Sequence, residues 1–274
     1  MPEKKTRVVM FSGGIGSWAC AKRVAEKYGT ENLILLFTDT KSEDEDLYRF
    51  LYQASANIGG KSKLVFLEDG RDLWEVFWDR KFLSNSRVDH CSHYLKRKPA
   101  KDWLKENCDK ENTTIYVGID WTEIHRFDRL RAIKDKEGWR YAAPMTEPPY
   151  LDKNEMIEML KAEGIEPPRL YAMGFAHNNC GGFCVKAGQG HFANLLKQMP
   201  ERYKYHEQRE QEFRNHFQKD VSFLKKNIDG VSSPYTLKQL REDIERKKCE
   251  IDMFDIGGCG CFIEETEDVN MENS

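Results

Sequence analysis

No apolar run in this chain of 274 residues approaches the ~18 that a membrane-spanning helix needs, so no span is expected. Charge of one sign is also lacking: 43 Lys and Arg stand against 46 Asp and Glu, a net −3. That balance gives no general attraction to polyanions and leaves only local basic patches. Internal repeats and low-complexity linkers are absent as well. Met-Pro-Glu-Lys-Lys leads straight into a strand-like run, and a cytoplasmic protein is expected. With 39% hydrophobic and 12% aromatic residues, the chain can bury the core of one α/β domain plus an appendage. Its eight cysteines, in an intracellular chain, more often serve metals or redox chemistry than disulfides.

The most informative segment is Ser12-Gly13-Gly14-Ile15-Gly16-Ser17, set between the apolar run Arg7 to Phe11 and the amphipathic stretch Trp18 to Tyr28. Glycines let backbone N–H groups converge on an anion, and a following helix adds its positive N-terminal end. The loop lacks the lysine of a Walker-type P-loop, and the later Gly60-Lys61-Ser62 precedes a strand-like run instead of following one, which excludes that class. Two readings stay open. Gly14-Ile15-Gly16-Ser17-Trp18-Ala19 spells G-x-G-x-x-A, with Asp39 ending the next strand, as in a dinucleotide fold. Alternatively, Ser12, Gly13, Gly14 and Ser17 match S-G-G-x-x-S, where two hydroxyls supplement the backbone donors around pyrophosphate.

Strand-like runs at 7–11, 33–38, 63–67 and 114–117 alternate with helical patterns, such as Leu47, Phe50, Leu51, Ala54 and Ile58 on one face. This predicts an α/β fold, a doubly wound, mostly parallel sheet whose ligands bind beyond the carboxyl ends of the strands. Thr38 and Asp39 lie at such an end, as a base or ribose contact or as a simple helix cap near Glu43. After about Gly190 the texture becomes charged and helical, over 201–227 and 236–248, divided by a breaker at 229–234. The expected domains are a nucleotide-binding unit over 1–190, a helical appendage over 191–263 and a disordered acidic tail over 264–274.

His90-Cys91-Ser92-His93-Tyr94-Leu95-Lys96-Arg97-Lys98-Pro99 places a thiol before a dense basic run. Such a run suits phosphate or sulfate, and its cations lower the thiol pKa; a solvated helix start is the plain alternative. Further on, Cys180-Gly181-Gly182-Phe183-Cys184 can fold back to present two thiolates to one metal or cluster.

Together these elements resemble the PAPS/APS reductase family (PAPS, phosphoadenosine phosphosulfate; APS, adenosine phosphosulfate) of the adenine-nucleotide α-hydrolase, or PP-loop ATP pyrophosphatase, superfamily. Cys91 with Leu95, Lys96 and Pro99 is similar to its C-x-x-x-L-K-x-x-P element. Gly118-Ile119-Asp120 with Glu123 and Arg126 is similar to G-I-x-x-x-E-x-x-R, and Pro144 to a later proline. The resemblance implies an adenine nucleotide (APS, PAPS or ATP, the last with Mg²⁺) whose phosphates lie on Ser12–Ser17. It places Thr38 and Asp39 near the base, with Lys96, Lys98, Gly118 and Arg126 around phosphate or sulfate. It also implies a [4Fe-4S] centre on Cys91, Cys180 and Cys184, a nucleophilic cysteine in Cys259-Gly260-Cys261, and a thioredoxin-like reductant. Cys259 is then the nucleophile, and Cys261 a resolving thiol or a further metal ligand.

The chain departs from the family in four places. His90 replaces one cysteine of a tandem pair, C-x-x-x-C replaces C-x-x-C, and the histidine after the C-terminal Cys-Gly element is missing. Gly16 stands where ATP pyrophosphatases carry Asp in S-G-G-x-D-S, which weakens a Mg²⁺-dependent ATP-cleavage reading. Sulfonucleotide reduction is therefore the leading expectation. An ATP pyrophosphatase that adenylylates a nucleic acid or small molecule for thiolation is the second, and a zinc-stabilised, non-catalytic nucleotide-binding module the third. Cys20, Cys108 and Cys249 are expected to be packing or surface residues. A homodimer is left open.

Overall fold

The computed structural model describes residues 5–85, 88–228, 230–246, 255 and 257. Five parallel strands, β1 (Thr6–Met10), β2 (Leu33–Asp39), β3 (Lys63–Glu68), β4 (Thr113–Tyr116) and β5 (Arg140–Ala142), form a sheet in the order β3-β2-β1-β4-β5. The four strands expected from the sequence are present. The fifth, three residues after Gly138-Trp139, is too short to register as a pattern. Chain order runs outward from β1 through β2 to β3, then restarts on the other side with β4. The topological switch point therefore lies between the carboxyl ends of β1 and β4.

Helices α1 (Ile15–Tyr28), α2 (Glu45–Ile58), α3 (Leu73–Asp79), α4 (His90–Ser92), α5 (Lys98–Asn107), α6 (Ile124–Lys136), α7 (Lys153–Ala162) and α8 (Arg169–Ala172) flank or follow the sheet. Alternation along β1 sends Val9 into a core with Trp18, Leu35, Phe50 and Leu160, and Val8 and Met10 into one with Leu104, Ile115 and Phe127. None of the described helices is long and apolar enough to cross a membrane.

The C-terminal unit contains α9 (Gln189–Gln198), α10 (Pro200–Phe217), the hairpin β6 (Leu224–Ile228) with β7 (Val231–Tyr235), and α11 (Leu237–Glu245). The helix expected over 201–227 thus stops at Phe217, and the breaker at 229–234 lies largely within a hairpin. Gln218 takes a left-handed cap at φ 51°, while Phe223, Leu224 and Tyr235 are buried. The buried Glu210 carboxylate accepts N–H bonds from Phe223 (3.1 Å) and Leu237 (2.7 Å), which fastens the hairpin to α10. One apolar cluster joins Leu73, Trp74, Phe77 and Leu95 to Phe183, Phe192, Tyr203, Phe213 and Leu240, so buried packing crosses residue 190.

Candidate active site

Strand β1 delivers Ser12–Ser17 to the switch point. Gly13 has φ 76°, and a Cβ there would sit 2.9 Å from Leu47 Cγ, so the turn needs glycine. Gly14 is the N-cap of α1 with no side-chain cap, and the first turn holds no acidic residue. Apart from Ile15 N–H, which donates to Tyr171 Oη at 3.4 Å, the helix presents its first-turn N–H groups and its positive end to an anion. Ser17 Oγ spends its proton on Gly14 O at 2.8 Å. Across the switch point, a Cβ on Gly118 would lie 2.8 Å from Gly16 C and O and Ser17 N. Only two glycines let these backbones approach so closely.

Beside this loop opens a cavity of about 490 Å³. Of the residues expected around the nucleotide, Ser12, Gly14, Ile15, Gly16 and Ser17 line it, joined by Lys96, Gly118 and Arg126. Arg126 pairs with Glu123. Gly13, Thr38, Asp39 and Lys98 do not line it. Gly13 O accepts from Asn178 Nδ2 at 2.8 Å. Asp39 Oδ1 accepts Lys41 N–H (2.9 Å) and Tyr48 O–H (2.8 Å), so this carboxylate closes a turn. Lys98 is exposed and pairs with Asp102 at 2.5 Å, away from the cavity. The α2 cap is Asp44, which accepts Asp46 N–H.

Sequence reasoning missed three contributors. Lys153 lines the cavity and donates to Ala176 O at 2.5 Å; burial lowers its pKa, opposed by Asp120 and Glu123. Tyr171 O–H lies over the loop, 3.4 Å from Ile15 N, and Asn178, almost fully buried, ties down Gly13. Only Asn178 carried a signal, in the polar run preceding Cys180.

A second cavity, about 20 Å³, is lined by Cys91, Cys180 and Cys184 together with Thr40, Asp89 and Lys96. Lys96 borders both cavities. Cys91 lies on α4, followed by a π-helical turn, His93–Arg97, a wide turn common at functional sites. It buries Lys96 against Glu43 Oε1 (3.4 Å) and Arg97 against Asp89 (3.0 Å), where Lys186 also pairs at 3.1 Å.

The C-x-x-x-C loop turns through three successive left-handed residues: Cys180 (φ 48°), Gly181 (59°) and Gly182 (82°). At Cys180 this costs about 1–2 kcal/mol, and contacts from elsewhere hold it. Cys180 N–H donates to Glu43 Oε2 at 2.5 Å, Arg202 donates to Gly181 O at 2.7 Å, and His191 Nε2 meets Gly182 O at 2.7 Å. Phe183 stacks on His206 at 3.6 Å. His206 Nδ1 accepts from Trp74 Nε1 at 3.0 Å, and burial pushes its pKa down to about 3.

His90 borders neither cavity. Its ring packs edge-on against Phe82, its Nδ1 meets no partner among the described residues, and burial lowers its pKa to about 4. Cys20 is fully buried, which raises its pKa to about 12, and burial also raises that of Cys108. Both are poor nucleophiles. Three thiols on one cavity suit a soft metal. Among the described residues, however, no three His, Cys, Asp or Glu are gathered closely enough to hold an ion, and a cavity with room for about one water leaves that donor set incomplete. Cys249, Cys259, Cys261 and the acidic tail lie outside the described residues.

No family model and no curated protein matches the chain. Among solved structures it is similar to the PAPS reductase from Candida auris in its phosphate complex, with TM-score 0.42 and 15% identity, covering 64% of this chain and 79% of that one. It is also similar to the NH3-dependent NAD synthetase from Campylobacter jejuni with nitrate, with TM-score 0.39 and 13% identity, covering 80% and 86%. At TM-scores below 0.5 neither bears on the chemistry of the site.

Proposed function

We propose that this chain is an enzyme that binds the phosphate or sulfate end of an adenine nucleotide on Ser12–Ser17 and reduces a sulfonucleotide with its cysteines. The observation that carries this reading is Lys96, a buried cation bordering both the phosphate-loop cavity and the three-cysteine cavity. The uncapped end of α1 with Lys96, Arg126 and Lys153 supplies donors for the anionic group and stabilises charge on a departing phosphate.

In this reading the Cys259 thiolate attacks the sulfonate sulfur. The bond from sulfur to the phosphate oxygen breaks, and the nucleotide leaves with that electron pair as AMP or its 3′-phosphate. The enzyme then carries an S-sulfocysteine, from which a dithiol of thioredoxin type, itself oxidised to a disulfide, releases sulfite. The thiols of Cys91, Cys180 and Cys184 border the same lysine from the other cavity and, as thiolates, would set the charge that Lys96 balances.

A second reading, adenylylation of an acceptor by ATP with release of pyrophosphate, is favoured by one observation: Asp120 and Glu123 are among the residues that line the cavity, and carboxylates are the donor type that suits Mg²⁺. Anaerobically purified protein offered ATP, APS and PAPS separately with a dithiol tests both. We expect sulfite from APS or PAPS. Pyrophosphate or AMP from ATP without sulfite moves the assignment to adenylylation, and no turnover of any nucleotide leaves a binding module.

A further inference from the structure

The nucleotide cavity is walled by two groups of residues. One, Lys96 with Asn178 and Asn179, leads to the cysteine cavity: Lys96 borders both, and Cys180 follows Asn179 directly. The other comes from the segments after β4 and β5, residues within 118–123 and 151–153. A substrate whose sulfonate faces the thiols past the first group must lay the rest of its length along the second.

Two aromatic rings stand on the rim of that second wall. Trp121 lies between the lining residues Asp120 and Thr122, and Tyr150 immediately precedes the lining residue Leu151. The ring centroids are 5.7 Å apart at 49°, and the two residues are 42% and 54% exposed. Each is carried by a capped segment: Asp120 accepts Thr122 N–H at 2.9 Å, and Asp152 accepts Glu155 N–H at 2.8 Å at the start of α7. Ile124, also half-exposed, follows Trp121 by three positions, close enough on a helical turn to be its neighbour. Large apolar side chains grouped in this way beside a cavity mark a binding surface.

The base has no place at the strand end where it is expected. Thr38 and Asp39 do not line the cavity, and the Asp39 carboxylate is taken by Lys41 N–H and Tyr48 O–H. On the other side, Gly118 packs on Gly16 of the phosphate loop, and Trp121 is three residues further, a reach of at most about 11 Å. A nucleotide with its phosphate on that loop spans a comparable length to its base.

We propose that Trp121 and Tyr150 form the base subsite, stacking the purine of the substrate and so selecting a nucleotide over a bare sugar phosphate. This rests on the proposed seating of the phosphate or sulfate end on Ser12–Ser17. Every base has a flat π-face, so the pair sets affinity for a base and leaves the choice among bases to polar contacts.

The test is calorimetric binding of AMP and of ribose 5-phosphate to the full chain, in wild type, Trp121→Ala/Tyr150→Ala and Trp121→Phe. AMP is expected to bind wild type about tenfold or more tighter than ribose 5-phosphate. The double variant loses that margin and keeps the wild-type affinity for ribose 5-phosphate. Trp121→Phe retains a flat ring and most of the margin but loses the quenching of tryptophan fluorescence by AMP, and it serves if the double variant does not fold. An AMP affinity in the double variant equal to that of wild type overturns the proposal, as does a wild type that binds AMP no tighter than ribose 5-phosphate. Equal weakening of both ligands also counts against the rings, because it marks damage to the phosphate loop. Sulfite release is scored separately. No sulfite from APS or PAPS with the AMP margin behaving as expected removes the reductase reading alone, and sulfite with unchanged AMP affinity in the double variant removes the base subsite alone.

Discussion

Ser12–Ser17 and Cys180–Cys184 flank the same lysine and both turn through left-handed backbone, yet they are held in different ways. The first loop carries its conformation in its own residues: Gly13 takes φ 76°, and α1 continues directly from the turn. The second bends through Cys180 as well as two glycines, and depends on Glu43, His191, Arg202 and the Phe183–His206 stack to stay there. The turn of a phosphate loop can thus be written locally, with Asn178 and Tyr171 added from outside, whereas the left-handed turn at Cys180 depends on the tertiary structure throughout. The C-terminal unit takes part in the site by clamping that loop.

The sharpest way to break the comparison is at the lysine the loops share. Lys96→Met leaves the buried Glu43 carboxylate without its cation, and we predict a stability loss of about 3 kcal/mol in denaturant unfolding, with weaker nucleotide binding. A loss of binding without loss of stability would place Lys96 in the phosphate site alone. Next, Gly118→Ala pushes a methyl into Gly16, and a displacement of about 1 Å in a preorganised loop is predicted to cost on the order of 10²-fold in turnover. Cysteine alkylation rates should hardly change, because that loop is held from the other side.

The pH dependence tests the clamp. Burial depresses the His206 pKa to about 3, so its contribution to stability is complete above the unfolded value near 6.5 and is lost as pH falls towards 3. His206 alone contributes a slope of about 1.4 kcal/mol per pH unit across that window, seen in full below about pH 4.5 and offset by Glu210 above it. Glu210 runs the other way: burial raises it to about 7, so its contribution is full below about 4.5 and is lost as pH rises to 7. His206→Gln should abolish the acid-side slope in pH-resolved unfolding curves, and a wild-type slope in the variant would remove His206 from the clamp. The smallest effect is expected at Lys98→Ala, whose exposed pair with Asp102 is worth about 0.5 kcal/mol or less. Nucleotide affinity measured by calorimetry should not change.

Legibility in the sequence follows the same division. Ser12–Ser17, four of the five strands and the turn at Cys180–Cys184 are local patterns, and each was readable as such. Glu43 read as no more than the start of the next helix, and Lys153, Tyr171 and Asn178 gave little or no signal, because their importance arises only once distant segments meet at the switch point. Thr38 and Asp39 sit at the expected strand end, but Tyr48 and Lys41 occupy the carboxylate. The hairpin was hidden by Lys225-Lys226-Asn227, polar residues that fit a helix equally well until Glu210 fastens the chain beside them.

The central claim is that the two cavities form one site meeting at Lys96. Measuring APS binding and sulfite release side by side in Cys91→Ser, Cys180→Ser and Cys184→Ser tests it most directly. Affinity close to that of wild type with sulfite release abolished is the predicted result. Sulfite release at the wild-type rate in all three variants would contradict it.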